Sequence, residues 1–331
     1  MGTSHDRLFH FTFHQPHHAA GWLRSCLPKA LNAAIDWETL AAAPEQIHGQ
    51  QLRRHVTDPL FTVRLRGNRR LAYVLSEHKS YPDRGLHDQV ACYSVLLATG
   101  ARSQRSDASF LVVPIVLYHG RTPWPAVPRA HPHLAGLDAP AAAALAFVQP
   151  HIRFFLDDLS ACSERSLCRR GLTPLATVTL LCLRFLRYLD VPQTLAALDR
   201  WAEFLRGTDR EPGPPIGYEA IAQIGWYALH VTKVPAEALH AAFERILQRP
   251  EETIMSTAER LKKEGEARGE ARGEARGEAR GRAHVLSQLL RKRFGPLPTA
   301  VTARLESATI ADLELWTELV LDGKSIEDVF D

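Results

Sequence analysis

The stretch from Asp58 to Lys79, DPLFTVRLRGNRRLAYVLSEHK, carries two acids and a lysine at spacings that suit phosphodiester hydrolysis. Two runs rich in β-formers flank Gly67-Asn68, and glycine first in a two-residue loop suits a type II′ hairpin turn. With that turn Arg66 pairs with Arg69, the register is fixed along both strands, and Asp58 falls opposite Glu77. Directly opposed side chains lie ~4.5–5.5 Å apart at Cβ on the same face. Two carboxylates there repel, and a divalent cation between them is one natural compensation. Lys79 lies two residues past Glu77 and so projects from the same face. Such a set fits metal-assisted hydrolysis: the metal polarises the phosphate and lowers the pKa of water, and an ammonium offsets charge developing in the transition state. The plainer reading is a surface hairpin with a Glu–Lys pair and an unrelated Asp.

Other chemistry is weakly signalled. Of sixteen histidines, His10, His14 and His18 recur every fourth residue, a spacing that could ligate a metal on one unbroken helix. Pro16 interrupts that helix, and no cysteine or carboxylate nearby completes a tetrad, so solvated or core histidines are expected instead. His119, at the end of an apolar strand, borders the expected cleft without an assigned role. No GxxxxGK[ST], GxSxG or HExxH motif is present, which leaves an ATP-driven motor, a serine hydrolase and a zincin unsupported. Arginines cluster around the hairpin at Arg53-Arg54, Arg64, Arg66 and Arg69-Arg70. Their placement beside the acids favours phosphate contacts over edge-strand protection.

These residues need a scaffold. The chain has 331 residues, enough for about two domains. Its 45% apolar and 23% charged content excludes a disordered chain, and its net charge of +3 permits a polyanionic partner without requiring one. No apolar run reaches the ~18 residues of a membrane span, and the N-terminus lacks a signal-peptide pattern. Five cysteines with no CxxC pair argue against a disulfide scaffold or zinc ribbon and fit a cytoplasmic protein.

Strands are expected at Phe61–Leu65, Leu71–Leu75 and Phe110–Tyr118, with a helix at Leu86–Ala98 whose Leu86, Val90, Tyr93 and Leu97 share a face. Residues 126–145 read as a Pro- and Ala-rich connector. From 150 to about 250 the pattern is helical throughout: Thr173-Pro174 caps a helix over Leu175–Leu189, and prolines and a glycine then punctuate three more. Glu-Ala-Arg-Gly repeats without variation from Glu266 to Gly281. Beyond it, His284–Phe330 has the spacing of a small helical unit, with capping-box-like starts at Thr309/Asp312 and Ser325/Asp328. The expected division is a nuclease-like domain over 1–150, a helical domain over 151–255, a charged linker over 256–283 and a small helical domain over 284–331.

The order of several motifs carries a resemblance. His5-Asp6 precedes Phe9 and Phe13; Asp58 leads the hairpin; LSEHKS is followed by Pro82-Asp83; and VVPIVLYHG, a strand ending in Tyr-x-Gly, precedes Trp124. Over roughly residues 5–125 the chain resembles the Rpn, or YhgA-like, recombination-promoting nucleases, a transposase-like branch of the PD-(D/E)XK superfamily. The tail (LLRKRFGPLP, LELW, IEDVF) resembles a helical domain of unknown function often fused to that family. The resemblance implies Asp58 as the first acid and Glu77-His78-Lys79 as E-x-K. Many members carry Gln where Lys79 stands, so this chain is nearer the superfamily pattern. Many also carry Arg where Gln89 stands, whereas Gln89 and Tyr93 form the Q-x-x-x-Y motif of RecB-like nucleases. On a helix those two share a face, so both could point at the metal site; a polar and an aromatic residue at ordinary helical spacing is the alternative.

The resemblance implies an α/β fold with a restriction-endonuclease-like αβββαβ core. It implies a metal-dependent DNA endonuclease that promotes recombination, leaving 5′-phosphate and 3′-hydroxyl ends. Asp58, Glu77 and the backbone carbonyl of His78 would bind Mg²⁺ (or Mn²⁺ or Ca²⁺). Lys79, Gln89 and Tyr93 would join Asp58 and Glu77 in catalysis, with Asp6 near the site by family pattern only. The expected partner is DNA, with no membrane. The rival is a catalytically silent DNA-binding or assembly protein that keeps the fold.

Within one helix the repeat places Glu266, Glu270, Glu274 and Glu278 in one row and Arg268, Arg272, Arg276 and Arg280 in another, like charges at i,i+4. Each interior glycine costs ~1 kcal/mol against alanine. One reading is therefore a flexible linker. The other is homo-oligomerisation, in which the glycine and alanine rows let two helices approach and one chain's Glu row faces its partner's Arg row. Light scattering on the full chain and on a variant lacking residues 264–281 distinguishes them. Self-association gives a larger mass for the full chain alone; equal monomeric masses at micromolar concentration leave only a tether.

Overall fold

A computed structural model describes residues 3–43, 59–67, 71–83, 85–102, 111–125, 136–146, 153–212, 215, 217–248, 281–295, 297–298, 301, 304–305, 310–322, 326 and 329. The Glu-Ala-Arg-Gly repeat as far as Arg280, and Thr309, Ser325 and Asp328 of the C-terminal capping-box starts, lie outside them. The chain forms two compact units, Met1–Ala258 and Glu259–Asp331.

The first unit opens with α1 (Ser4–Phe13), α2 (Pro16–Cys26) and α3 (Lys29–Ala34), followed by β1 (Ile35–Ala42). Thr3 and Asp6 form a capping box at the start of α1. Pro16 occupies the first turn of α2, so the two helices are separate, as the proline requires. Then come β2 (Leu60–Leu65), β3 (Leu71–Lys79), α4 (Leu86–Arg102) and β4 (Leu111–Tyr118). β2 and β3 pair antiparallel, with Leu60 opposite Leu75 and Arg64 opposite Leu71. This is the register expected from a two-residue loop at Gly67-Asn68. Gly67 sits at φ +85°, the left-handed region that favours glycine in the turn.

The remaining elements are α5 (Ala139–Ala146), β5 (Phe155–Asp158), α6 (Glu164–Cys168), α7 (Pro174–Phe185), α8 (Val191–Arg200), α9 (Ala202–Arg210), α10 (Gly217–Val231) and α11 (Ala236–Leu247). Thr173 caps α7 by accepting from the Ala176 N–H. Four sequence expectations need correction. Residues 139–146 are helical because Asp138 accepts from the Ala141 N–H at the start of an alanine-rich run. Residues 155–158 form a strand, too short for a period-2 signal and specified by its parallel partner β4. The helix expected to reach Leu189 ends at Phe185, and Leu186–Tyr188 tighten into a 3₁₀ turn. Four helices, not three, follow it, because the chain leaves helical geometry at Trp201 between α8 and α9.

Among the described residues the sheet has five strands in the order β1-β2-β3-β4-β5, antiparallel through β3 and parallel from β3 to β5. The class is mixed α/β, as expected. One face is covered by α1, α2 and the helices after residue 159 in a single core that includes Phe9, Phe13, Trp22, Val74, Leu180 and Tyr227. Each large side chain fully buried there stabilises the fold by roughly 1.5–3 kcal/mol. The other face carries α4, whose Leu86, Val90, Tyr93 and Leu97 pack on Leu60, Tyr73, Leu75 and Val116. The second unit, described by itself, has α12 (281–294) and α13 (Ile310–Asp322). Its core joins Leu286, Leu290, Leu305, Leu313, Trp316 and Val320, the spacing read from the sequence.

The Tyr-x-Gly ending of β4 has a packing cause. A Cβ on Gly120 would lie 2.0 Å from the hydroxyl oxygen and 2.3 Å from Cζ of Tyr118, whose hydroxyl donates to the Thr122 carbonyl (2.8 Å) and whose ring meets Trp124 edge-on at 5.0 Å. Gly120→Ala should cost roughly 1–3 kcal/mol in urea unfolding, the usual range for overpacking. In a Tyr118→Ala background the same change should cost much less, because the clash partner is gone. Equal costs in both backgrounds would exclude the clash as the cause.

Candidate functional site

Side chains alternate across β3, and both faces of the strand are buried. Tyr73, Leu75, Glu77 and Lys79 face α4; Val74, Ser76 and His78 face the large helical core. Every polar residue on this strand therefore has to find its partners inside the protein.

On the α4 face, Glu77 is only 4% exposed. Gln89 Nε2 donates to both of its carboxylate oxygens at 3.1 Å and approaches the Tyr93 hydroxyl at 2.9 Å. Gln89 Oε1 accepts from Lys79 Nζ at 3.0 Å. This polarity fixes the amide, with its oxygen toward the ammonium and its nitrogen toward the carboxylate. Lys79 Nζ also lies 3.8 Å from Glu77 Oε2 and donates to Asp83 Oδ2 at 3.0 Å. The helix delivers Gln89 and Tyr93 to one spot because they are four residues apart. Glu77, Lys79, Gln89 and Tyr93, singled out from spacing and resemblance, thus form one connected polar group.

Asp83 joins that group without having been selected as a site residue. Its other oxygen, Oδ1, accepts from the Gly85 N–H at 2.9 Å just before α4. Burial raises the Asp83 carboxyl, but its bonds to Lys79 and Gly85 outweigh that, and the net direction is downward. The sequence signal was Pro82-Asp83 directly before a helix, which reads equally well as an ordinary helix start.

Asp58 lies outside the described residues. The next residue, Pro59, offers its carbonyl to both the backbone N–H (3.3 Å) and the hydroxyl of Ser76. Of the hairpin arginines, Arg64 and Arg66 are exposed, and Arg66 Nε donates to the Ile35 carbonyl at 3.2 Å. Arg53, Arg54, Arg69 and Arg70 lie outside the described residues.

His78 and Asp6 meet on the opposite face from Glu77. His78 Nδ1 is 3.2 Å from Asp6 Oδ1, and the ring is stacked between Phe9 (4.8 Å) and His119 (4.7 Å). Asp6 is thus placed beside the His78 side chain rather than among the groups around Glu77. Its hydrogen bond to His78 holds its carboxyl below the usual range, against an opposing effect of burial. His119 is fully buried, with Nδ1 against the Leu183 carbonyl at 3.1 Å, and burial drives its pKa well down. His5 bonds to the Tyr227 hydroxyl at 2.8 Å, and burial, then Arg187 and His78, lower it to about 4. Of the spaced histidines, His14 caps the end of α1, and His18 is a buried residue of α2 lowered to about 4, first by burial and then by His17.

In this group the Glu77 carboxylate offers oxygen donors, the type that Mg²⁺ takes, next to the Lys79 ammonium. Among the described residues, no helix is long and apolar enough to cross a membrane.

Residues 3–211 match the family model described as putative transposase, YhgA-like. The chain is 32% identical over 124 residues to the recombination-promoting nuclease RpnC of Escherichia coli K12, covering 37% of this chain and 41% of the relative. It is 29% identical over 128 residues to RpnA of the same strain, covering 37% and 42%. It is also 29% identical over 126 residues to the inactive recombination-promoting nuclease-like protein RpnE, covering 37% and 41%. The matches span about four-tenths of the length of these relatives. No solved structure matches the chain.

The buried histidines make the fold acid-sensitive. Their folded pKa values lie below the ordinary 6.5, so between that value and about 4 the unfolded chain binds protons that the folded chain does not. Their contribution is complete above about pH 6.5 and declines as pH falls below it, by at most ~1.4 kcal/mol per pH unit for each histidine. Urea unfolding at pH 7.5 and pH 5 should show this loss, and His119→Asn should lessen it. A stability flat over that range would refute the account.

Proposed function

The chain belongs to the YhgA-like family, and on that premise we propose that it is a divalent-metal-dependent DNA endonuclease whose cleavage promotes recombination. The observation that carries this reading is the buried Glu77 carboxylate tied through Gln89 to Lys79 and Tyr93. Further support comes from the run of helices, three antiparallel strands, a helix and a parallel strand, the element order of a PD-(D/E)XK core. RpnC and RpnA carry the name recombination-promoting nuclease.

Asp58 and Glu77, with the backbone carbonyl of His78, would hold Mg²⁺ or a similar ion. When bound, that ion supplies Lewis acidity toward the phosphate and lowers the pKa of water. The protein's own groups do the positioning. Gln89 donates to both oxygens of Glu77 and so fixes the plane of the carboxylate, while the Tyr93 hydroxyl holds the Gln89 amide in turn. Lys79, gripped by Asp83 and Gln89, keeps an ammonium next to the carboxylate, where it offsets negative charge building on the phosphate oxygens. Asp83 is a positioning residue that sets where Nζ sits. Exposed Arg64 and Arg66 are available for phosphate contacts along the DNA.

A second reading, a silent DNA-binding or assembly protein, is favoured by the relative named as inactive at 29% identity. The presence of Glu77 and Lys79 in one polar group argues for activity.

Purified protein with supercoiled plasmid, scanned across Mg²⁺, Mn²⁺, Ca²⁺ and EDTA, tests the choice. Cleavage should need metal, and Asp58→Ala or Glu77→Ala should abolish it while circular dichroism stays unchanged; undiminished cutting by both variants would sink the assignment. Lys79→Gln should lower the rate by ~10²-fold or less, the scale of one lost electrostatic donor. Asp83→Asn should fall between wild type and Lys79→Gln, because it loosens the lysine without removing it. An Asp83→Asn rate equal to wild type would show that the grip is not needed.

A further inference from the structure

A third polar group lies apart from those around Glu77 and His78. His17 and His18 lie in the first turn of α2, and Glu211 is the residue that closes α9. Glu211 Oε1 is 3.3 Å from His17 Nε2 and 3.9 Å from His18 Nδ1, and the three ligand atoms all lie within 4.8 Å of one another. A tetrahedral zinc with ligand bonds of ~2.0–2.2 Å separates neighbouring ligand atoms by roughly 3.3 Å. The observed spacing therefore needs only small side-chain adjustments to close around one ion.

One further observation points to a cation. Glu211 Oε2 is buried and has no hydrogen-bond partner among the described residues, although the side chain is only 12% exposed. A carboxylate oxygen out of water normally has a donor or a metal to satisfy it. His18 is also buried, 3% exposed, and its Nδ1 makes a 2.8 Å hydrogen bond with Thr173 Oγ1 that an ion would displace. His17 also lines an open pocket with Pro16, Gly21, Arg24, Trp37 and Thr173, so its side chain is reachable from solvent. Arg24 in this lining places its guanidinium over the Trp37 ring at 5.2 Å.

We propose that His17, His18 and Glu211 form a second metal site, of zinc class, that staples the start of α2 to the end of α9. Two imidazoles and one carboxylate favour Zn²⁺ and its neighbours over Mg²⁺, which prefers an all-oxygen shell. The site joins residues 194 positions apart, so an ion there favours the folded chain over the open one. The inference is independent of the nuclease assignment.

The test uses full-length protein carrying Glu77→Gln, which weakens the hard-cation group, stripped of metal and titrated with Co²⁺ and then Zn²⁺. One equivalent of Co²⁺ should give the intense visible absorption of a low-coordinate ion, and Zn²⁺ should bleach it. Saturating Zn²⁺ should raise the melting temperature by several degrees, and Mg²⁺ should not. His17→Ala, at an exposed side chain, and Glu211→Gln should each weaken Co²⁺ binding by at least ~10-fold. The proposal is overturned if the parent gives no such absorption, or if both variants bind Co²⁺ as tightly as the parent. The first outcome means that Glu211 makes only hydrogen bonds to His17; the second means that the ion sits elsewhere among the sixteen histidines.

Discussion

Because β3 is covered on both faces, the four polar side chains at its C-terminal end cannot fall back on water. Ser76 reaches back to the Pro59 carbonyl, Glu77 takes the Gln89 amide, His78 takes Asp6, and Lys79 takes Asp83 and Gln89. Leaving an ionised carboxylate buried and uncompensated costs several kcal/mol, so each partner is needed for the fold as well as for any chemistry. The same demand explains why the group is compact. One glutamine amide, with a donor end and an acceptor end, links carboxylate to ammonium and leaves neither unmatched.

The sheet divides the polar residues into two sets that sequence proximity would have merged. Glu77 and Lys79 belong to the α4 face, and His78, between them in the chain, belongs to the face where α1 packs. On that second face, Phe9 and His119 sandwich the His78 ring, and Asp6 both caps α1 and holds His78. The N-terminal helix is thereby fixed to the strand that carries the acid. Burial keeps His5 and His119 neutral there, so this packing holds best near and above neutral pH.

The family relationship and the geometry bear on different parts of the problem. The family match extends over residues 3–211 and so reaches through the helices as far as α9, past the sheet. Its last residue is the carboxylate that meets His17 and His18. Helices after residue 159 share one core with α1 and α2, which makes them part of what holds β3 in place.

Local patterns in the sequence were enough for the hairpin register, the capped start of α7, the split between α1 and α2, and the common face of Gln89 and Tyr93. Each of these depends on a turn, a cap or a period within about twenty residues, where side-chain alternation and helical spacing act directly. The short strand β5 and the helix α5 were not read. β5 has no period of its own and exists by pairing with β4; the cap at Asp138 was hidden among prolines. Asp83's grip on Lys79, the meeting of Asp6 with His78, and the approach of Glu211 to His17 and His18 were decided only in three dimensions. No local rule links residue 211 to residue 17. The packing of both α2 and α9 on α7 in one core brings them together, and burial then requires the carboxylate to find a partner.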